Sequence, residues 1–189
     1  LLPNRLKASY DGAGTGRRSA AWKAPDSGPT SASLGGLRSL RNRSRAATRN
    51  DPYGFSAIDR LVSNTIGTGI TPKPKHKDNA IRAALQELWD DWTEEADADG
   101  RTDFYGLQAL VCRAVYESGE CFVRIRPRRP EDGLAVPLQL QVLEPEFVPH
   151  DKHEKRSNGN VIRAGIEFNG IGQRVAYWMY RSHPGDGTE

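Results

Sequence analysis

The chain has 189 residues, with 27 Lys/Arg against 24 Asp/Glu and a hydrophobic share of 37%. That length suits one domain with an extension, and no apolar run is long enough for a membrane-spanning helix. The amino end lacks the apolar segment of a secretory signal, and two cysteines are too few for a disulfide-stapled scaffold. The chain begins with Leu1, its one methionine is Met179, and HPGDGTE is not a recognisable ending, so the expectation is a partial chain.

Charge is distributed unevenly. Residues 1–50 hold ten Lys/Arg against Asp11 and Asp26, a net of +8, so the remainder carries −5. A basic arm joined to a mildly acidic body fits a polyanionic partner or an acidic protein surface. Residues 1–36 include YDGAGTGRRS and APDSGPTSASLGG, rich in Gly, Ser and Pro. Such a stretch buries too little apolar surface to offset its ordering entropy. It is therefore expected to be a flexible basic arm, with a folded domain over 37–189. DGAGTGRRS lacks the GK[ST] ending of a phosphate loop, and Arg17 stands where a dinucleotide fingerprint starting at Gly12 requires glycine.

Leu37 to Arg49 predicts a helix with Arg38, Arg41, Arg45 and Arg49 near one face. Those arginines are candidates for contact with phosphates or with a carboxylate-rich neighbouring subunit; a solvated face is the plainer reading. Asp51 and Pro52 supply a cap and first turn for the next helix, with Ile58, Leu61, Val62, Ile66 and Phe55 as its apolar stripe and Gly67 as its stop. Asp78 or Asn79 starts a third, whose apolar face is Ile81, Leu85, Leu88, Trp89 and Trp92. Its opposite face collects Glu87, Asp90, Asp91 and Glu94, a candidate acidic subunit-contact surface.

Asp97 to Arg126 is the central stretch. DADGRTD resembles a calcium loop, but the twelfth residue from Asp97 is Gln108 where a bidentate glutamate belongs, so a capped turn is expected. Phe104, Leu107, Leu110, Val111, Ala114 and Val115 then recur at helical spacing after a Thr102 or Asp103 cap, and Ser118-Gly119 ends the pattern. From Cys121 the period becomes two, with Cys121, Val123 and Ile125 on one side and Phe122, Arg124 and Arg126 on the other. The charged turn RPRRPEDG leads to the alternating VPLQLQVLE, giving a hairpin with a basic tip at Arg126, Arg128 and Arg129, which are further candidates for DNA or subunit contact. A polar loop over 151–160 follows. Strands are expected at Val161–Phe168 and Arg174–Arg181 around an Asn169-Gly170 turn. Helices first and antiparallel strands afterwards predict an α+β domain.

No catalytic, cofactor or metal constellation emerges. His150 and His153 flank Asp151 in a polar loop with loose spacing, and His76 and His183 find no place in a ligand set. Glu117 and Glu120 beside Cys121 lack an assignable base or electropositive setting, so they read as solvating a turn or pairing with arginines. Cys112 and Cys121 read as small buried apolar residues of a reducing compartment, without a disulfide.

In order, RAATRNDPYGFSAIDRLVSNTIGTGI, W-x-x-W, DADGRTDFYGLQALVCRAVYESGECFVR, LEPE and GIEFNGIGQRVAYWMYRSHPGD resemble the amino-terminal part of the lambda-like family of tailed-phage portal proteins. The resemblance covers about residues 37–186, and ASYDGAGTGRRSAAW is similar to the family's arm. Family members continue well beyond this length, so the stem and clip, which narrow the channel and dock terminase, fall outside it.

The resemblance implies a wing-like part of one subunit in a dodecameric ring at a capsid vertex, in the virion and in the host cytoplasm during assembly. It implies double-stranded DNA passing through the channel, and terminase, capsid or scaffold and tail-connector proteins as partners, with no membrane, cofactor or catalytic residue. Two readings of other classes stand beside it: a nucleic-acid-binding module using the arm and the 126–129 turn, and an enzyme fragment with a cysteine or carboxylate site at Glu117–Cys121.

Overall fold

A computed structural model describes residues 26–186, together with Arg17 and Ala21. The chain divides into two compact units, Leu1–Gly36 and Leu37–Glu189. In the first, helix α1 (Pro29–Leu34) has proline at its first turn, and the Ser33 hydroxyl donates to the Pro29 carbonyl at 2.7 Å. Most of the expected arm, including all of DGAGTGRRS but Arg17, lies outside the described residues.

The second unit is α+β. Helices α2 (Leu37–Asn50), α3 (Pro52–Ile66), α4 (Asn79–Glu95) and α5 (Phe104–Ser118) precede strands β1 (Phe122–Pro127) and β2 (Leu138–Leu143). Strands β3 (Glu154–Lys155), β4 (Val161–Arg163), β5 (Ile166–Phe168) and β6 (Arg174–Tyr177) follow. The strands form two antiparallel sheets, β1-β2 and β3-β4-β5-β6.

Helix boundaries follow side-chain capping. The carboxylates of Asp51, Asp78 and Asp103 each accept a first-turn amide, from Tyr53, Ala80 and Gly106. Gly119 closes α5 at φ 83°, and its N–H donates to the Val115 carbonyl. Phe122 pairs with Leu143 and Pro127 with Leu138, which places Val123, Ile125, Leu140 and Val142 on one side of the hairpin.

The core centres on Trp92, Ala96 and Leu107, with Trp89, Phe104, Leu140 and Val142 around it. Trp89, Trp92 and Phe104 meet pairwise with ring centroids 5.1–5.2 Å apart. Trp92 Nε1 donates to the Leu138 carbonyl at 2.7 Å, fixing α4 against β2. Leu140 also exchanges backbone bonds with Ala96 and Ala98, a parallel bridge along the other edge of β2.

The expected stripes are longer than the surfaces that cover them. Phe55 and Leu61 of α3, Ile81, Leu85 and Leu88 of α4, Leu110 and Val115 of α5, and Val123 and Ile125 of β1 are all exposed. Periodicity identifies an apolar side, whereas burial also needs an element opposite it. The strand expected at 161–168 is in fact two, β4 and β5, turned by Ala164 (φ 50°) and Gly165 (φ 77°). The 151–160 loop contains β3, and β6 ends at Tyr177 rather than Arg181. In the β5–β6 hairpin Asn169 Oδ1 accepts from the N–H groups of Ile171 and Gln173, and Gly172, not Gly170, takes the left-handed conformation.

Candidate assembly surfaces

Two of the five α2 arginines face inward. Arg41 is 3% exposed. Its Nε donates to the Ser118 carbonyl at 3.3 Å, Nη1 to His150 Nε2 at 2.8 Å, and Nη2 to the Glu120 carboxylate. An arginine only donates, so His150 must present a bare Nε2 and be neutral. Burial, then the Arg41 guanidinium, holds that imidazole below the usual histidine range. One side chain thus ties α2 to the α5–β1 turn and to the loop at Pro149–Asp151.

Arg45, one turn on, donates to Ser118 Oγ at 3.0 Å and Glu146 Oε2 at 3.0 Å, and lies 3.2 Å from Glu144 Oε2. These contacts correct the expectation for Arg41 and Arg45: both are engaged within their own chain, and Arg41 is not available to a neighbour. Arg38 and Arg49 remain exposed on the flank of α2. Glu144, Glu146 and His183 place their donor atoms within 4.8 Å of one another. The Arg45 guanidinium already balances the two carboxylates, so the chemistry of this trio is that of an ion-pair network rather than a cation site.

The other readings of chemistry near α5 resolve locally. Both Asp97 oxygens accept backbone donors, Oδ1 from Asp99 N (2.9 Å) and Oδ2 from Arg101 N (2.9 Å) and Thr102 N (3.2 Å). DADGRTD is therefore a turn built on a buried carboxylate. Glu117 pairs with Arg113 one turn back and Glu120 with Arg41. Burial, then Glu120, pushes the Cys121 thiol up, which is the wrong direction for a nucleophile. Both cysteines are free and half-buried.

Two charged surfaces are left. Glu87, Asp90, Asp91 and Glu94 of α4 are all exposed. On the polar side of the β1–β2 hairpin, Arg124 and Arg126 donate to Gln141 Oε1 and Arg128 to Gln139 Oε1, while Arg129 is exposed at the tip. Among the described residues none of these eight groups forms a salt bridge. Sequence reasoning passed over a further basic patch, Lys75, His76, Lys77 and Arg82, around the start of α4. Its signal was the alternating KPKHK at residues 73–77, between the end of α3 and the cap of α4.

Between α5, the α3 exit and the apolar side of the hairpin lies a groove of about 310 Å³. Ile66, Ile70, Val111, Cys112 and Val123 are among its walls. Gln108 holds the exit in place, accepting from Ile70 N at 2.7 Å and donating to its carbonyl at 3.0 Å.

The described residues thus present charged faces and an apolar groove. The family model described as phage portal protein, lambda family, matches residues 15–189. The chain belongs to the lambda family of phage portal proteins. This portal chain is also similar to the "Probable portal protein" of Halomonas phage phiHAP-1, 31% identical over 160 residues. That match covers 79% of this chain but spans only 30% of the relative's length. The family is one of structural proteins. No helix among the described residues is long and apolar enough to cross a membrane.

Proposed function

We propose that this chain forms part of the outer wall of a portal ring at the capsid vertex, the conduit for DNA packaging and ejection and the site of head–tail connection. The observation that carries the reading is the family match over 15–189. Unsatisfied apolar and charged faces on opposite kinds of element support it, since subunits of a cyclic assembly join one face to a different face of the next copy. The subunit is one of twelve. Terminase, capsid or scaffold and tail-connector proteins engage the ring through the whole polypeptide, and residues 1–36 act as a basic arm towards a neighbouring copy. Assembly takes place in the host cytoplasm.

The test is negative-stain electron microscopy of the protein expressed from the whole reading frame. Rings with a central hole are expected. Uniform monomers across protein and salt concentrations would overturn the reading.

A further inference from the structure

We infer that the polar side of the β1–β2 hairpin is a phosphate-binding face for double-stranded DNA, with Arg124, Arg126 and Arg128 as the contacting row. The contact goes beyond the ring reading, which assigns no residue of the hairpin to DNA.

The strand sets the row. Arg124 lies opposite Gln141 and Arg126 opposite Gln139 in the antiparallel register, and Arg128 N continues the ladder to the Pro137 carbonyl at 2.9 Å. Alternate residues of a strand share a side, so the three side chains leave the hairpin about 6.5 Å apart along one line. That side is opposite Val123, Ile125 and the apolar groove.

Neutral acceptors hold these cations. Arg124 Nε donates to Gln141 Oε1 at 3.2 Å, Arg126 Nη1 to the same oxygen at 3.0 Å, and Arg128 Nε to Gln139 Oε1 at 2.8 Å. The two glutamine amides are themselves fixed from behind. Gln141 Nε2 donates to Asp99 Oδ1 at 3.0 Å, and Gln139 Nε2 to the carbonyls of Glu95 at 2.7 Å and Asp97 at 3.2 Å. The guanidiniums are therefore positioned without being neutralised. Arg124 and Arg126 share one carbonyl oxygen, so they stand close enough to repel, and among the described residues none of the three is ion-paired. An anion set against the row relieves that repulsion, and each guanidinium keeps N–H groups for it that no described acceptor uses.

The make-up of the face selects the partner. Between Arg124 and Arg128, and across to Gln139 and Gln141, its side chains are arginine and glutamine alone. Subunit interfaces have an apolar core depleted in charge, whereas interfaces with DNA are polar and strongly basic. Single strands are gripped by stacking bases on aromatic rings. The aromatic on this side, Phe122, is already packed against Tyr177, with ring centroids 5.4 Å apart, so the duplex is the form that fits. Glu131 and Asp132 lie past the row, at the tip of the hairpin.

Fluorescence anisotropy of a short labelled DNA duplex of mixed sequence, titrated with the chain at several salt concentrations, tests this. The parent binds with a Kd of about micromolar order near 50 mM salt, and the affinity falls steeply as salt rises. Arg124→Gln weakens binding about tenfold and makes the slope of log affinity against log salt shallower by about 0.9, one phosphate contact being lost. Arg124→Gln with Arg126→Gln and Arg128→Gln makes it shallower by about 2.7. Arg124→Lys with Arg126→Lys keeps the slope and loses affinity, because an ammonium does not reproduce the planar fork. Gln141→Glu removes no cation yet lowers affinity and slope like the loss of one arginine, a change that a merely structural glutamine would not produce. Arg124 is exposed, so its variant keeps the test valid if the others fail to fold. A parent without affinity for the duplex overturns the assignment. So do row variants with the parent's affinity and slope, which would place DNA binding at the arm or at Lys75, Lys77 and Arg82. Row variants that alter self-association of the chain and leave DNA binding intact would give the arginines to carboxylates of another copy and overturn it too. None of these results bears on the ring, which is judged by electron microscopy of the whole protein.

Discussion

Arg41 should be the costliest polar residue to lose. Arg41→Met keeps the aliphatic stem and deletes a guanidinium that serves the Ser118 carbonyl, His150 and Glu120. Glu120 is 46% exposed, so its carboxylate rehydrates and that pair contributes no more than about 1 kcal/mol. The bonds to Ser118 and His150 have a charged donor, for which about 1.5–3 kcal/mol each is typical. Removing a buried cation recovers part of its desolvation cost, which brings the expected loss to about 3 kcal/mol. Arg41→Ala also removes two packed methylenes and should lose about 1.5 kcal/mol more. Urea unfolding followed by tryptophan fluorescence reads both, with Trp92 in the core as reporter. An Arg41→Met chain within about 0.5 kcal/mol of the parent, the range of ordinary surface changes, would refute the reasoning.

Asp97→Ala leaves three N–H groups without their acceptor and should lose about 3 kcal/mol, with Asn, which keeps one oxygen, losing less. Added calcium should leave the Tm unchanged. Trp92→Phe orphans the Leu138 carbonyl and should lose about 2 kcal/mol or more, whereas Trp89, whose buried Nε1 has no partner among the described residues, should tolerate Phe with about 1 kcal/mol or less. His150 titrates below its ordinary value when folded, so as pH falls the unfolded chain binds the proton first. Its contribution is complete above about pH 6.5 and declines below it; His150→Gln should flatten that part of a stability–pH profile. The groups facing it are Arg41, Glu120, Glu146 and Asp151, and the glutamates must be varied in parallel to isolate its share.

Caps and periods were legible because they are local. Asp51, Asp78 and Asp103 each bond an amide two or three residues on, and the change from helical to alternating spacing at Gly119 needs only neighbours. The Ala164-Gly165 turn was missed because apolar and polar residues continue alternating across it, so nothing in the pattern of Val161–Phe168 marks the reversal. Arg41 and Arg45 were read as outward because arginine rarely lies buried unless paired. Their acceptors, Ser118, Glu120, His150 and Glu146, stand 73 to 109 residues away, a distance no local rule spans.

That correction moves the complement of the α4 acids. If Arg41 and Arg45 hold the domain together, reversing their charge would unfold it and say nothing about neighbours. Among the described residues, the basic groups without an ion pair include the hairpin arginines, on the side of β1 opposite exposed Val123 and Ile125, and Lys75, Lys77 and Arg82 around the start of α4. A domain whose stripes outrun its own cover has two physical solutions, more chain or another copy.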